Sequence, residues 1–169
     1  AKVAVADILV EAGRASANDI GASFFELDLA RPDSIAICME QVIEELRGLD
    51  GLVNNGAIVT AIGGLTMDEI EINIWDKVMT VNVRGTWLMS RAAKPHLTEI
   101  GNGKIANLAS DTALWGAPKL LHYVASKGAV ISMTRSMARE LGADGISVNS
   151  IAPGLTAVEA TEYFPEERR

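Results

Sequence analysis

The chain has 169 residues, of which 49% are apolar and 22% are charged, and its formal net charge is -7. This is enough apolar material to bury one core, so we expect a single domain over residues 1–169. The acidic balance excludes a basic surface for nucleic acid, and the single cysteine, Cys38, excludes an internal disulfide. No apolar run long enough to cross a bilayer and no signal peptide is recognised, which predicts a soluble cytoplasmic protein.

Short apolar segments typical of strands alternate with segments of helical period. The predicted strands are residues 2–7, 22–27, 51–54, 104–109 and 147–151. A helix is predicted between the second and third strands, because apolar residues recur at helical spacing after Pro32, which suits a first turn. Longer helices are predicted at about 73–95 and 120–141. The alternation predicts an α/β fold with a doubly wound parallel sheet in three αβα layers.

Tyr123 and Lys127 stand four residues apart in the last of these helices, which places both side chains on one face. An ammonium beside a phenol favours the phenolate, so we expect Lys127 to lower the pKa of Tyr123 from about 10 toward neutrality. Ser110 directly follows the fourth predicted strand. Singly, each residue has an ordinary explanation as a surface or turn residue. Together they predict an acid–base site.

Further motifs accompany this site in a definite order. DGLVNNGA at 50–57 is followed by VNVRG around Asn82, by KIANLAS ending at Ser110, and by GISVNSIAPG at 145–154. The set resembles the short-chain dehydrogenase/reductase family over essentially the whole chain. The resemblance implies a Rossmann-like fold and an NAD-dependent oxidoreductase acting on a secondary alcohol, diol, polyol or ketone. Two alternatives stay open: an NADPH-type 3-oxoacyl or carbonyl reductase, and a binding protein of this fold without turnover.

The resemblance also implies catalytic roles. Tyr123 is the expected general base, because an alcohol that loses hydride must lose a proton from its oxygen as well. Lys127 is expected to bind the nicotinamide ribose and to lower the pKa of Tyr123. Ser110 is expected to bind the substrate oxygen, and Asn82 to hold a water in a proton relay to Lys127. The substrate pocket is expected to include Asp111 and Trp115 besides Ser110 and Tyr123.

The resemblance also implies contacts with the cofactor in several segments of the chain. Asp7 ends the first predicted strand, where a carboxylate accepts hydrogen bonds from the adenine ribose and repels a 2′-phosphate, so NAD is favoured over NADP. Its alternative is an acid that starts a turn. Asp28, through its side chain, and Leu29, through its backbone, are expected at the adenine, with Asp28 as a helix N-cap as its alternative. The other expected cofactor contacts are Asn54, Asn55, Gly56, Ala57, Tyr123, Lys127, Pro153, Gly154 and Thr156.

The sequence departs from the family pattern in two of these segments. Gly56 and Ala57 are exchanged relative to the usual Asn-Asn-Ala-Gly. The exchange moves the position at which glycine allows a positive φ without steric cost. After Gly154, Thr156 and Val158 stand where the family has Ile and then Thr, so Thr156 or Thr161 is expected to contact the carboxamide. No metal ligand set is expected. The resemblance implies a homo-oligomer, dimer or tetramer, and the small residues of the helix carrying Tyr123 permit the close helix approach that this needs.

Two elements of the family pattern are missing from this sequence: the first strand with its glycine-rich turn, and a further strand near the C-terminus. A dinucleotide fold begins with a strand and a glycine-rich turn at the pyrophosphate, whereas this sequence opens on AKVAVAD, which corresponds to the second strand. In the strand order 3-2-1-4-5-6 the absent strand is central. We therefore expect residues 3–6 and 52–54 to flank either a gap or a strand supplied by other residues, and the chain to be part of a protein of about 250 residues. The alternative is a natural truncated paralogue with a rearranged sheet.

Overall fold

The computed structural model describes residues 1–59 and 63–156. Five strands and six α-helices alternate along the described chain. The strands are β1 (Ala4–Asp7), β2 (Ser23–Glu26), β3 (Gly51–Asn54), β4 (Lys104–Leu108) and β5 (Ser147–Ile151). The helices are α1 (Val10–Asp19), α2 (Pro32–Leu46), α3 (Ile72–Met79), α4 (Thr86–Ile100), α5 (Thr112–Trp115) and α6 (Leu121–Leu141). A π-helical segment, Thr80–Gly85, joins α3 to α4, and a 3-10 turn, Gly142–Asp144, follows α6.

The described strands form two parallel sheets rather than one. β1 pairs with β2, and β3, β4 and β5 pair in that order. Between β1 and β3 lies a cavity of about 1710 Å³ whose lining includes residues of both strands. The expected gap between residues 3–6 and 52–54 is therefore confirmed. A parallel α/β arrangement is confirmed as well, with the central position of the strand order open.

The core lies where α2 and α4 pack beside the strands. Leu97, Ile105 and Ile146 are almost fully buried there, together with Cys38 on α2. Pro32 occupies the first turn of α2 as expected, and Arg47 ends that helix in the left-handed conformation. This packing holds the carboxyl ends of β3, β4 and β5 at one edge, which is where ligands bind in open parallel sheets.

Two features of the helices differ from the sequence prediction. Residues 10–19 form α1, which was not predicted, and its Gly13 lies directly against the ring of Phe24 on β2. The helix predicted at 73–95 extends to Ile100 beyond Pro95 and contains the π-helical segment. A π-helical turn carries one extra residue between hydrogen-bonded groups, so it frees backbone groups and marks functional sites in many helices.

Candidate active site at the ends of strands β4 and β5

Ser110 lies two residues beyond β4 and is 8% exposed. Its hydroxyl oxygen accepts a hydrogen bond from the Thr112 hydroxyl over 2.8 Å and another from the Thr112 backbone N–H over 3.3 Å. Thr112, in the first turn of α5, was not singled out from the sequence. The two bonds hold the Ser110 oxygen in one position and leave its own proton available to a partner.

Tyr123 stands in the first turn of α6, half-buried and close enough to Ser110 for the serine hydroxyl to lower its pKa. The structure therefore brings together the predicted serine and tyrosine. Burial raises the pKa of Tyr123, the hydrogen bond from Ser110 opposes that rise, and the negative charge of Asp111 adds to it. The net direction is opposite to the expected lowering by Lys127.

Lys127 is one helical turn further along α6 and only 5% exposed. Its Nζ donates a hydrogen bond to the Leu108 carbonyl over 2.6 Å and lies 5.7 Å from the centre of the Tyr123 ring. The ammonium thus lies beside the ring face rather than at the hydroxyl, which explains why it does not lower the pKa of the phenol here. Burial lowers the pKa of Lys127 itself to about 8.

Asn82 lies in the π-helical segment and is 1% exposed. Its side-chain oxygen accepts the Ile58 N–H over 2.8 Å, and its side-chain nitrogen donates to the Ile58 carbonyl and to the Ser126 hydroxyl. Ser126 in turn donates to the Tyr123 carbonyl over 2.7 Å. The structure therefore connects Asn82 to the catalytic helix through Ser126. The expected water relay from Asn82 to Lys127 stays a prediction.

Seven of the residues predicted for the adenosine half of the cofactor share one site. They all line the cavity between β1 and β3 and comprise Asp7, Asp28, Leu29, Asn54, Asn55, Gly56 and Ala57. The Asp7 carboxylate accepts the Leu9 N–H over 2.8 Å, so its turn-forming role is observed. Asp28 accepts the Ala30 N–H over 2.8 Å in a similar turn, and Arg31 rather than Asp28 is the N-cap of α2.

Gly56 lies close to the end of the Leu29 side chain and does not have a positive φ. A Cβ at Gly56 would lie 2.7 Å from Leu29 Cδ1, and one at Gly85 would lie 2.8 Å from Leu29 Cβ. Gly56 is absent from the glycines with positive φ in the described chain. The exchange with Ala57 therefore leaves the backbone in an ordinary conformation and lets Leu29 approach closely.

A buried polar network ties Asn54 to the neighbouring elements. The Asn54 side-chain nitrogen donates to the Asn107 side-chain oxygen over 2.8 Å and to the Ser90 hydroxyl over 3.0 Å. Asn107, fully buried on β4, donates to the Thr134 hydroxyl over 2.9 Å. Sequence reasoning singled out Asn54 but missed Asn107, Ser90 and Thr134, although Asn107 is an amide in an otherwise apolar strand. These bonds cross-link β3, β4, α4 and α6 beneath the site.

The turn after β5 reaches the serine end of the site. The Asp111 N–H donates to the Pro153 carbonyl over 3.0 Å, and a Cβ at Gly154 would lie 3.6 Å from Asp111 Oδ2. The Thr156 hydroxyl donates to the Gly154 carbonyl over 3.2 Å. The structure thus places Pro153 and Gly154 against Asp111, and their expected position beside the nicotinamide stays a prediction. Thr161 lies outside the described residues.

Exposed apolar side chains lie on the segments that flank Ser110. Leu114 and Trp115 on α5 are 69% and 61% exposed, and Leu155 is 47% exposed. His122 is fully buried, and neither of its ring nitrogens is hydrogen-bonded within the described chain. Its helical neighbour Tyr123 faces the site, whereas His122 faces the interior. Leu114, Trp115 and Leu155 provide the apolar surface on which a substrate could bind.

The residues present fit a nicotinamide dinucleotide at two places. The cavity at β1 and β3 presents the Asp7 carboxylate, and the edge at β4 and β5 presents Lys127 and Tyr123. No cluster of three or more His, Cys, Asp or Glu side chains suited to a metal ion occurs within residues 1–59 and 63–156. Over the same described residues, no helix is long and apolar enough to span a membrane.

Comparisons with known proteins agree with this architecture. A family model described as enoyl-(acyl carrier protein) reductase matches residues 1–169. A 3-alpha-(or 20-beta)-hydroxysteroid dehydrogenase of Mycobacterium bovis is 37% identical over 169 residues, which are 99% of this chain and 64% of that relative. The chain therefore spans less than two thirds of that relative's length. It belongs to the short-chain dehydrogenase/reductase family.

Two solved structures from Brucella melitensis share the fold. One, described as a ribose-5-phosphate isomerase, has a TM-score of 0.88 and 30% identity over 95% of this chain and 62% of its own. The other, a 3-ketoacyl-(acyl-carrier-protein) reductase complexed with NADH, has a TM-score of 0.86 and 32% identity over 90% of this chain and 65% of its own. Since these two descriptions name different reactions, fold likeness alone does not choose one.

Proposed function

We propose that the protein is an NAD-dependent oxidoreductase that interconverts a secondary alcohol, diol or polyol and the corresponding ketone. The observation that carries this proposal is the approach of Tyr123 to Ser110 at the carboxyl end of β4, with the Lys127 ammonium buried beside the tyrosine ring. A phenol, a hydroxyl and an ammonium at one strand end suit proton transfer to and from an alcohol oxygen.

Each of the three side chains has a distinct task in this proposal. Ser110, whose oxygen is held by Thr112, donates a hydrogen bond to the substrate oxygen and so orients the substrate. Tyr123 takes the alcohol proton during oxidation and returns it during reduction. NAD, when bound, supplies the hydride acceptor. A positive charge beside a phenol lowers the pKa of that phenol. The positive charge of the oxidised nicotinamide, when bound, would therefore oppose the rise that burial causes in the pKa of Tyr123.

The proposed preference for NAD rests on Asp7. Its carboxylate lies in the cavity expected to hold the adenosine, and a negative charge there disfavours a 2′-phosphate. The Brucella reductase that shares the fold was solved with NADH. An NADPH-type 3-oxoacyl or carbonyl reductase is the alternative, because the family model and that reductase are described by acyl-carrier substrates.

The gap between β1 and β3 supports a longer protein of about 250 residues, whose additional parallel strand completes one sheet. Such a strand pairs the open edges of β1 and β3, which are otherwise unpaired backbone in a large cavity. We propose in addition that the protein is a cytoplasmic homo-oligomer, dimer or tetramer. Trp87 on α4 is 45% exposed and Gly128 on α6 faces open space, so both helices present surface to a partner copy.

A catalytic assay separates this proposal from a binding protein without turnover. The full-length protein is incubated with NAD or NADP and a panel of secondary alcohols, diols and polyols, and reduced cofactor is followed by absorbance. We expect NAD-dependent turnover of at least one class. Absence of turnover with every alcohol and every ketone, despite measurable NADH binding, would establish the non-catalytic alternative.

A further inference from the structure

Asp111 carries a charge at the site that the proposed reaction does not use. Its carboxylate has no hydrogen-bond or ion-pair partner among the described residues, whose ion pairs are Arg31–Asp33 and Lys94–Asp144. It lies next to Ser110 in sequence and against Gly154 in space. Partly removing a carboxylate from water without pairing it costs free energy. A ligand that donates a hydrogen bond or carries a positive charge would offset this cost at the half-buried Asp111.

The position of this carboxylate is set by the backbone around it. The Asp111 N–H is bonded to Pro153, and its carbonyl accepts the N–H groups of Leu114 and Trp115 at the start of α5. The side chain makes no capping bond to that helix. The Asp111 carboxylate is therefore available to a ligand. Its negative charge also raises the pKa of the nearby Tyr123.

An indole stands one helical turn beyond the carboxylate. Trp115 follows Asp111 by four residues, which brings the two side chains to the same side of the short helix α5, and its indole is 61% exposed. Carboxylates pair with ammonium groups, and indole faces attract cations within about 6 Å. The same carboxylate repels a substrate carboxylate or phosphate.

Resting on the proposed function, we infer that Asp111 is a specificity-determining residue. It selects alcohols that carry an ammonium group on the carbon adjacent to the carbinol carbon, and it rejects 2-hydroxy acids. Trp115 supplies the second side of the ammonium subsite. A neighbouring hydroxyl, which can donate one hydrogen bond to the carboxylate, ranks between the ammonium and an apolar group.

Four small substrates test this inference because they differ in one substituent on the same carbinol: 1-amino-2-propanol, 1,2-propanediol, 2-butanol and lactate. Their kcat/KM values are measured with the full-length protein and with Asp111→Asn, which keeps the shape and removes the charge. The matched control is Asp19→Asn, which removes the same charge at the far end of α1. We expect wild type and the control to prefer 1-amino-2-propanol over lactate.

In Asp111→Asn, we expect that preference to fall by at least about tenfold, and the ratio of diol to 2-butanol to fall less, because the amide oxygen still accepts a hydrogen bond from a hydroxyl. The acidic limb of the pH–rate profile is expected to move to lower pH, because the charge that raises the pKa of Tyr123 is gone. An unchanged preference in Asp111→Asn, or a change confined to NAD affinity, overturns the inference.

Calorimetry keeps the inference testable apart from catalysis. Binding of 1-amino-2-propanol is measured in Tyr123→Phe and in the double variant with Asp111→Asn, both saturated with NADH. We expect at least about tenfold weaker binding without the charge. Equal binding overturns the inference even if turnover is observed. Conversely, charge-dependent binding without turnover in wild type contradicts the proposed oxidoreductase function and leaves the assignment of Asp111 standing.

Discussion

The Nζ of Lys127 lies 2.6 Å from the carbonyl oxygen of Leu108, so helix α6 is bonded directly to the last residue of β4. Leu108 lies two residues before Ser110, which means that one hydrogen bond sets the position of α6 relative to the serine. The bond also buries an ammonium in the interior, where charged groups are expensive. Lys127 therefore combines a positioning role with a stability cost.

This cost predicts that Lys127→Met stabilises the cofactor-free protein while abolishing turnover. Burial lowers the pKa of Lys127 from 10.5 to about 8, so the folded chain binds its proton more weakly than the unfolded chain does. The penalty is fully present below pH 8 and is relieved as pH rises toward 10.5. We expect Lys127→Met to be about 1–2 kcal/mol more stable at pH 7, after the lost bond to Leu108 is deducted.

Urea unfolding at pH 7 and pH 10 checks this prediction. Wild type should gain stability across that interval relative to Lys127→Met. The control is Lys94→Met, in which a partly exposed lysine paired with Asp144 is removed, and which should keep the wild-type pH dependence. Parallel pH dependences for wild type and Lys127→Met would show that the buried ammonium carries no such penalty.

Tyr123→Phe should lower kcat by at least about 10²-fold, the low end for a positioned general base. NADH binding should change little, because the ring and its packing remain. Steady-state turnover and a fluorescence titration of NADH measure the two effects separately. A Phe variant that keeps wild-type turnover would end the assignment of Tyr123 as the base.

Asp7→Ala should weaken discrimination between NAD and NADP, because it removes both the acceptor for the ribose hydroxyls and the charge that repels a 2′-phosphate. The Asp7 carboxylate also accepts the Leu9 N–H, so Asp7→Asn, which retains an acceptor, is the matched variant for the turn. We expect the ratio of kcat/KM for NAD to that for NADP to fall about tenfold or more in both. An unchanged ratio would move cofactor selection away from Asp7.

Gly85→Ala should destabilise the fold because there is no room for a methyl group. The added Cβ would lie 2.8 Å from Leu29 Cβ and 3.0 Å from the Leu29 carbonyl oxygen, and the backbone cannot move aside cheaply. We expect a loss of about 1–3 kcal/mol in the free energy of unfolding. Gly142→Ala, where a Cβ meets open space at a helical φ, should be neutral or slightly stabilising. Equal stabilities for the two variants would contradict the close contact with Leu29.

Sequence patterns predicted the strands well because each is a short apolar run bounded by turn residues. β3 and β5 have the predicted bounds, and the open position between β1 and β3 follows from motif order alone. Helix α1 was not predicted, because it packs on β2 through the close approach of Gly13 to Phe24. These two residues are separated in the sequence, so local spacing does not indicate the contact. The same limit applies to Asn107, whose burial gains meaning only through its bonds to Asn54 and Thr134.

For the site, the residue types and their order in the sequence were sufficient to select Ser110, Tyr123 and Lys127, because four-residue spacing on a helix and a strand end define where such side chains point. The direction of the tyrosine pKa was decided only by the tertiary structure. Burial and Asp111 raise it, while Lys127 is held by Leu108 at the side of the ring. Desolvation and charge–charge distance depend on what packs around a group, and neither quantity is encoded in local spacing.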